Sequence, residues 1–152
     1  MKENNKKIKM IDVGNKKETE RIAEATGKIR LSKETIQAIL KDKIPKGNVF
    51  SSAYIAGITM AKKTSEIVPL CHPIRITSIE LEIKPDIENS FILITSRVKA
   101  FDRTGVEMEA LTAVLGAALT IYDMCKSIDK RMIIEDVHLL SKKGGKSGEF
   151  MW

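Results

Sequence analysis

The chain has 152 residues, 43% of them hydrophobic, and a formal net charge of +6 from 26 Lys and Arg against 20 Asp and Glu. This length reads as one domain over residues 1–152, burying roughly 70% of its unfolded surface and needing no staple, with flexible ends at about 1–10 and 144–152. Two cysteines, Cys71 and Cys125, do not make a disulfide framework, no secretory leader or membrane span is legible, and a reducing, cytoplasmic setting is expected.

The positive excess points to an anionic partner, either nucleic acid or a phosphorylated small molecule. Met1–Lys9 is polar and basic and reads as a mobile terminus. Ile11-Asp12-Val13 is a short apolar touch before Gly14, and Lys16–Glu20 alternates in charge as an exposed connection. From Thr19 to Leu31 the pattern predicts a strand, with Arg21, Ala23, Ala25 and Gly27 setting small residues on one face. Ser32 is a good N-cap, and Leu31 with Ile36 has staple spacing, so a short helix with a stripe of Ile36, Ile39 and Leu40 is expected to about Lys41. Pro45-Lys46-Gly47 breaks it, and Asn48 caps a second helix from Val49 to about Lys63 with Phe50, Ala53, Tyr54, Gly57 and Ala61 inward.

Val68-Pro69-Leu70-Cys71-His72-Pro73 is a loop stiffened by its prolines. Ile79, Leu81 and Ile83 alternate with charged residues and pair, through a hairpin at Pro85–Asn89, with a strand from Phe91 to Val98. Thr104 and Glu107 have capping-box spacing and open a long helix. Between Ala110 and Tyr122 that helix carries no charge, and its two apolar stripes call for a sheet on one face and another subunit on the other, with Gly116, Ala117 and Ala118 admitting a close neighbour. The run falls short of the about 20 residues that span a bilayer. Met132 to Leu140 reads as a last strand, and Lys142–Gly148 as a basic, glycine-rich tail. Removing one helix from this order leaves β-α-β-β-α-β, so the expected fold is α+β: a ferredoxin-like, split βαβ antiparallel sheet backed by helices, with one extra helix.

Several chemistries fail on spacing. Cys71, His72, Cys125 and His138 contain no paired metal-ligand motif, so no metal site is expected. Neither cysteine has a base placed by sequence, and both read as structural. Gly144-Gly145-Lys146-Ser147-Gly148 resembles a phosphate loop, but Leu140 stands where its first glycine belongs. Nucleic-acid binding is favoured by net charge and opposed by scattered aromatics and by Glu107 and Glu109, which repel a phosphate backbone. What remains is lysines Lys46, Lys62 and Lys126 at element ends, carboxylates at Glu107, Glu109 and Asp123, and a stiff Cys-His loop. This set suits a nucleotide or pterin phosphate. Asp123, Lys126 and Lys130 are spaced to share one helical face, though such faces are commonly just solvated.

Five segments carry a resemblance: Lys46-Gly47-Asn48-Val49, Ile67–Pro73, Thr104–Leu111, Ile121–Lys126 and Gly144–Gly148. Together, over about Met10 to Phe150, they resemble the cyclic pyranopterin monophosphate synthase family, the C protein of molybdenum-cofactor biosynthesis. The resemblance implies conversion of 3′,8-cyclo-7,8-dihydro-GTP to cyclic pyranopterin monophosphate with release of diphosphate. It implies a ferredoxin-like fold and a homo-hexamer, a trimer of dimers, with active sites at subunit interfaces and neither nucleic acid nor membrane as partner. By motif, Asp123 matches a catalytic aspartate and Lys126 its acid–base or phosphate-contacting lysine, with Lys46 and Lys62 as basic residues of the same catalytic set. Leu70, Cys71 and His72 match a substrate-binding loop, and Met108 and Glu109, with Glu107 beside them, a second binding segment. No cofactor is implied; Mg²⁺ would come only with the triphosphate. An Asp–Lys pair could shuttle protons if burial and neighbouring lysines pull the lysine pKa down toward neutrality. The sequence departs from the family pattern in a short N-terminus and in Asp102-Arg103 before the Thr-Gly motif.

Overall fold

The computed structural model describes residues 6–152. The part of the expected mobile start that falls on residues 1–5 lies outside the described residues. In chain order the elements are β1 (Thr19–Arg30), α1 (Lys33–Leu40), α2 (Val49–Lys62), the single turn α3 (Thr64–Ile67), β2 (Ile76–Asp86), β3 (Phe91–Asp102), α4 (Glu107–Cys125), β4 (Ile133–Lys143) and β5 (Phe150–Met151). The sheet runs β2-β3-β1-β4-β5, every pair antiparallel. Without α1, α3 and β5 this is the ferredoxin-like arrangement the sequence order predicts. The turn α3 and the strand β5 are not legible in the hydrophobic pattern, being four and two residues long.

Strand β1 is central because its inward face is small. Arg21, Ala23, Ala25, Gly27 and Ile29 alternate toward the helices and are buried. A Cβ on Gly27 would come within 2.8 Å of Val114 Cγ1 and of Val137 Cγ2. Absence of that atom lets α4 sit directly on the strand. Inward-facing Ile92, Ile94 and Val98 on β3 and Leu81 on β2 complete the core with Ala110, Ala113, Val114, Ala117 and Ile121 of α4. Ser96 Oγ, also buried, donates to the Ala110 carbonyl at 2.7 Å and so ties sheet to helix.

Both expected N-caps form. Ser32 Oγ accepts from Thr35 N (3.1 Å) and Asn48 Oδ1 from Ser51 N (2.8 Å). Asp129 reinforces the first, its Oδ2 accepting from Ser32 N at 2.9 Å and Thr35 Oγ1 at 3.0 Å, which fastens the start of α1 to the loop after α4. The Thr104–Glu107 capping box does not form: α4 starts at Glu107 with Val106 in the cap position and no side-chain cap. Glu107 therefore occupies the first helical position, and its carboxylate turns to Lys142 instead. Within α2 the buried row is Val49, Ala53, Gly57 and Ala61, an i,i+4 line; Phe50 is half-buried, and Tyr54 lies on the exposed flank, as does Leu40 on α1.

The second apolar face of α4 meets α2 of the same chain rather than waiting wholly for another subunit. A Cβ on Gly57 would stand 2.8 Å from the Ala113 carbonyl oxygen, and one on Gly116 2.8 Å from Met60 Sδ, so two glycines set how close the helices approach. Leu115 and Leu119 remain exposed on α4. With 19 residues, α4 is longer than the run expected, and by length and composition it is apolar enough to cross a membrane. Yet 61% of its most apolar window is buried in the fold, which makes it the core helix of this sheet.

Candidate active site

At the C-terminal end of α4, Asp123 is held between two ammonium groups. Lys126, one turn on, reaches Oδ1 at 2.8 Å; Lys46, from the loop between α1 and α2, reaches Oδ2 at 2.8 Å. That loop turns sharply at Gly47, whose φ of +115° an L side chain rarely adopts. Hydrogen bonds from Lys126 and then Lys46 lower the Asp123 pKa to about 2. The same hydrogen bond raises the Lys126 pKa. The condition set for a proton-shuttling lysine, a pKa pulled down toward neutrality, is not met in this state: the hydrogen bond and charge of Asp123 outweigh the lowering by burial. In this arrangement Asp123 is ionised and Lys126 protonated, each charge answered by the other.

A second group of residues gathers at the other end of α4. Glu109 is buried, and its Oε2 has no hydrogen-bond partner among the described residues. Burial, with the fields of Glu107 and Asp102 added, outweighs its own backbone hydrogen bond and raises its pKa to about 7. Cys71 faces these carboxylates from the proline-bracketed loop; burial raises its thiol pKa, and Glu109 and Glu107 raise it further. A cysteine so placed is a poor thiolate, which agrees with a non-nucleophilic role. His72 Nε2 bonds to the Ile11 carbonyl. Leu70 and Met108 are exposed beside this group in sequence.

Next to it opens a cleft of about 750 Å³, lined by Lys16, Lys17, Arg21, Lys142 and Lys146 against the single carboxylate of Glu107. Lys142 Nζ lies 3.2 Å from Glu107 Oε1. Arg21 is 8% exposed and donates through Nε to the Asp102 carbonyl and through Nη2 to the Arg103 carbonyl. Five cations concentrated against a single acid make an anion site.

The MoaC family pattern matches residues 10–145. Among its relatives, a protein named cyclic pyranopterin monophosphate synthase from Desulfatibacillum aliphaticivorans is 53% identical over 95% of this chain and 91% of its own. Another of the same name, from Clostridium perfringens strain SM101, is 56% identical over 93% of this chain and 89% of its own. A third, from Pelotomaculum thermopropionicum, is 52% identical over 93% and 84%. The chain belongs to the MoaC family.

In this MoaC-family chain the expected site residues fall into separate places. Lys46, Asp123 and Lys126 come together. Cys71, Glu107 and Glu109 come together, about 21–24 Å away along α4 at 1.5 Å per residue. Lys62 does not join Lys46: it ends α2 and lies in a groove with Ile58, Ile74 and Ile76 along β2, roughly 20 Å along α2 from the loop that bears Lys46. Arg21 and Lys142 were not singled out as site residues from the sequence. The signal for Arg21 was present: an arginine in line with Ala23, Ala25 and Gly27 is a cation on the buried face of a strand. Lys142 carries no such mark, because its position depends on where β4 ends.

Proposed function

We propose that this chain converts 3′,8-cyclo-7,8-dihydro-GTP to cyclic pyranopterin monophosphate and releases diphosphate. The observation that carries the reading is the Asp123 carboxylate bridged by Lys46 and Lys126 in a chain of the MoaC family. The cationic cleft supports it: a triphosphate needs several positive groups, and the diphosphate that leaves needs them more as its charge develops. A substrate phosphate or hydroxyl entering between Asp123 and its lysines would take over one partner. Lys126, relieved of its carboxylate, would then fall in pKa and act as an acid, with Asp123 as the complementary base. Glu109, titrating near neutrality, is able to hold or give up a proton at the other side of the substrate. No resident cofactor enters this scheme, and Mg²⁺ enters only with the triphosphate.

The separation of the two residue groups within one chain supports an assembly in which they meet across an interface. A second copy would bring its Asp123 end to the Glu109 end of the first. The exposed apolar side chains Tyr54, Ile55, Leu115 and Leu119 on the α2 and α4 surfaces give such a copy a place to dock. We place the active sites of a homo-hexamer, a trimer of dimers, there, in the cytoplasm. The test is turnover: purified protein with enzymatically prepared substrate, followed by diphosphate release and by chromatography of the pterin. Product without added protein establishes the reaction. No product from a folded oligomer overturns it.

A further inference from the structure

We propose that the last residues of the chain, Gly148–Trp152, are a positioning strap that holds Lys146 over the cationic cleft. Strand β5 turns back on β4 as a hairpin, with Met151 opposite Ser141 and Phe150 opposite Lys142. Its loop is the glycine-rich turn 144–148. Gly144, Gly145 and Gly148 all take positive φ, and Gly148 N donates to the Gly145 carbonyl. The turn presses on the start of β1: a Cβ at Gly144 would come within 2.2 Å of the Glu20 carbonyl oxygen, and one at Gly145 would overlap the Arg21 guanidinium. Lys146 and Ser147 then line the cleft opposite Lys142 and Glu107.

Nothing in the turn itself keeps it in this position. A glycine-rich loop loses more backbone freedom on ordering than any other, and a two-residue strand is too short to be stable by its ladder alone. What closes the hairpin is its end. Trp152 N donates to the Leu140 carbonyl at 2.9 Å, and the Trp152 ring sits over His138 with centroids 4.7 Å apart and planes tilted by 46°. Trp152 and Lys146 thus stand at the two ends of one hairpin arm, and the ring pair sets how often the turn is in place. Trp152 is a positioning residue: it touches no ligand and acts through Lys146. The functional part of this inference rests on the cleft receiving the substrate's phosphates; the mechanical part does not.

Trp152 is the only tryptophan in the chain, so its emission reports the clasp directly. The experiment compares wild type, Trp152→Ala and Trp152→Phe by limited trypsin digestion, following cleavage after Lys146 by mass, with inorganic diphosphate as the probe ligand. Cleavage of an opening segment tracks its open population, and an exposed aromatic pair is worth a factor of about three. Trp152→Ala is expected to cleave about threefold faster, and Trp152→Phe to return most of the protection. In turnover, Trp152→Ala raises KM by a similar factor and leaves kcat in place. Unchanged cleavage after Lys146 in Trp152→Ala overturns the strap. Diphosphate is expected to slow cleavage of wild type and shift its emission. If it does neither while Trp152→Ala still opens the turn, the strap stands and the phosphate reading of the cleft falls.

Discussion

Lys46 and Asp123 are 77 residues apart in sequence, and their side chains meet at 2.8 Å. The contact joins the loop before α2 to the last turn of α4, and Lys126 closes on the other carboxylate oxygen. Replacing Asp123 by Asn keeps the shape and removes the charge that both lysines answer. Turnover is expected to fall at least ~100-fold, the scale of losing a positioned acid or base. Thermal melting is expected to stay in place, because solvent-exposed ion pairs add little to stability. A parallel loss of melting temperature and activity would assign Asp123 to the fold and not to the chemistry.

Glu109 gives a pH signature with a definite sign. Its folded-state pKa of about 7 lies above the ordinary 4.5, so between these values the folded chain holds a proton that the unfolded chain has released. Stability contributed by the protonated form is complete below about pH 4.5 and is lost as pH rises through about 7. Glu109→Gln, which cannot ionise, is expected to be more stable than wild type at pH 8, on the order of 2 kcal/mol, and no more stable at pH 5. Urea midpoints at the two pH values decide this. A constant difference between the proteins would mean that Glu109 is solvated in the native state.

Gly57 sets the distance between α2 and α4. A Cβ there would meet Leu81 Cδ1 at 2.5 Å and the Ala113 carbonyl oxygen at 2.8 Å, and a backbone atom cannot swing aside. Gly57→Ala gains about 1 kcal/mol of helix propensity and loses about 1–3 kcal/mol to overpacking. The net effect expected in calorimetry is a melting point lowered by a few degrees, about 2–4 °C per kcal/mol at this size. A raised melting point would show that α2 slides freely over α4.

Complementation tests the shared site. Asp123→Ala and Glu109→Ala are each expected to be inactive alone. Unfolded together and refolded as mixed oligomers, they are expected to regain part of the activity, since one site in each hybrid joins an intact Asp123 to an intact Glu109. Mixtures that stay inactive, though shown to contain hybrids, would place both residues' work within one subunit. Leu119→Glu, on the exposed face of α4, is expected to yield smaller, folded species in sedimentation, because a buried charge there costs more than the interface returns.

What the sequence revealed was chiefly what is local. The caps at Ser32 and Asn48, the alternation through Ala23 and Ala25, and the spacing of Asp123 and Lys126 on one helical face depend on neighbours within a turn or a strand. The Thr104–Glu107 capping box has the same local spacing and fails, because Lys142, from β4, draws the glutamate away. The Asp123–Lys126 pair was legible, but the lowered lysine pKa on which proton shuttling was conditioned is not found, since only the structure shows the carboxylate bonded directly to Lys126 and raising its pKa. Arg21 shows the reverse case. Its position was predicted, but that its guanidinium is pinned by the carbonyls of Asp102, the last residue of β3, and of Arg103 just after it depends on a partner strand 81 residues away.

The strand order carries a consequence for how this protein is made. β1 leads the chain, yet its two neighbours are β3 and β4, so it waits for partners synthesised far behind it. The β2–β3 hairpin can assemble on its own; β1 cannot, and loop closure over such spans is slow. Until β4 arrives, one edge of β1 is unpaired and α4, the longest helix, has an incomplete bed. The nascent chain is therefore most prone to sticking to its copies in the interval between emergence of α4 and of β4, and a helper that shields greasy segments would act then.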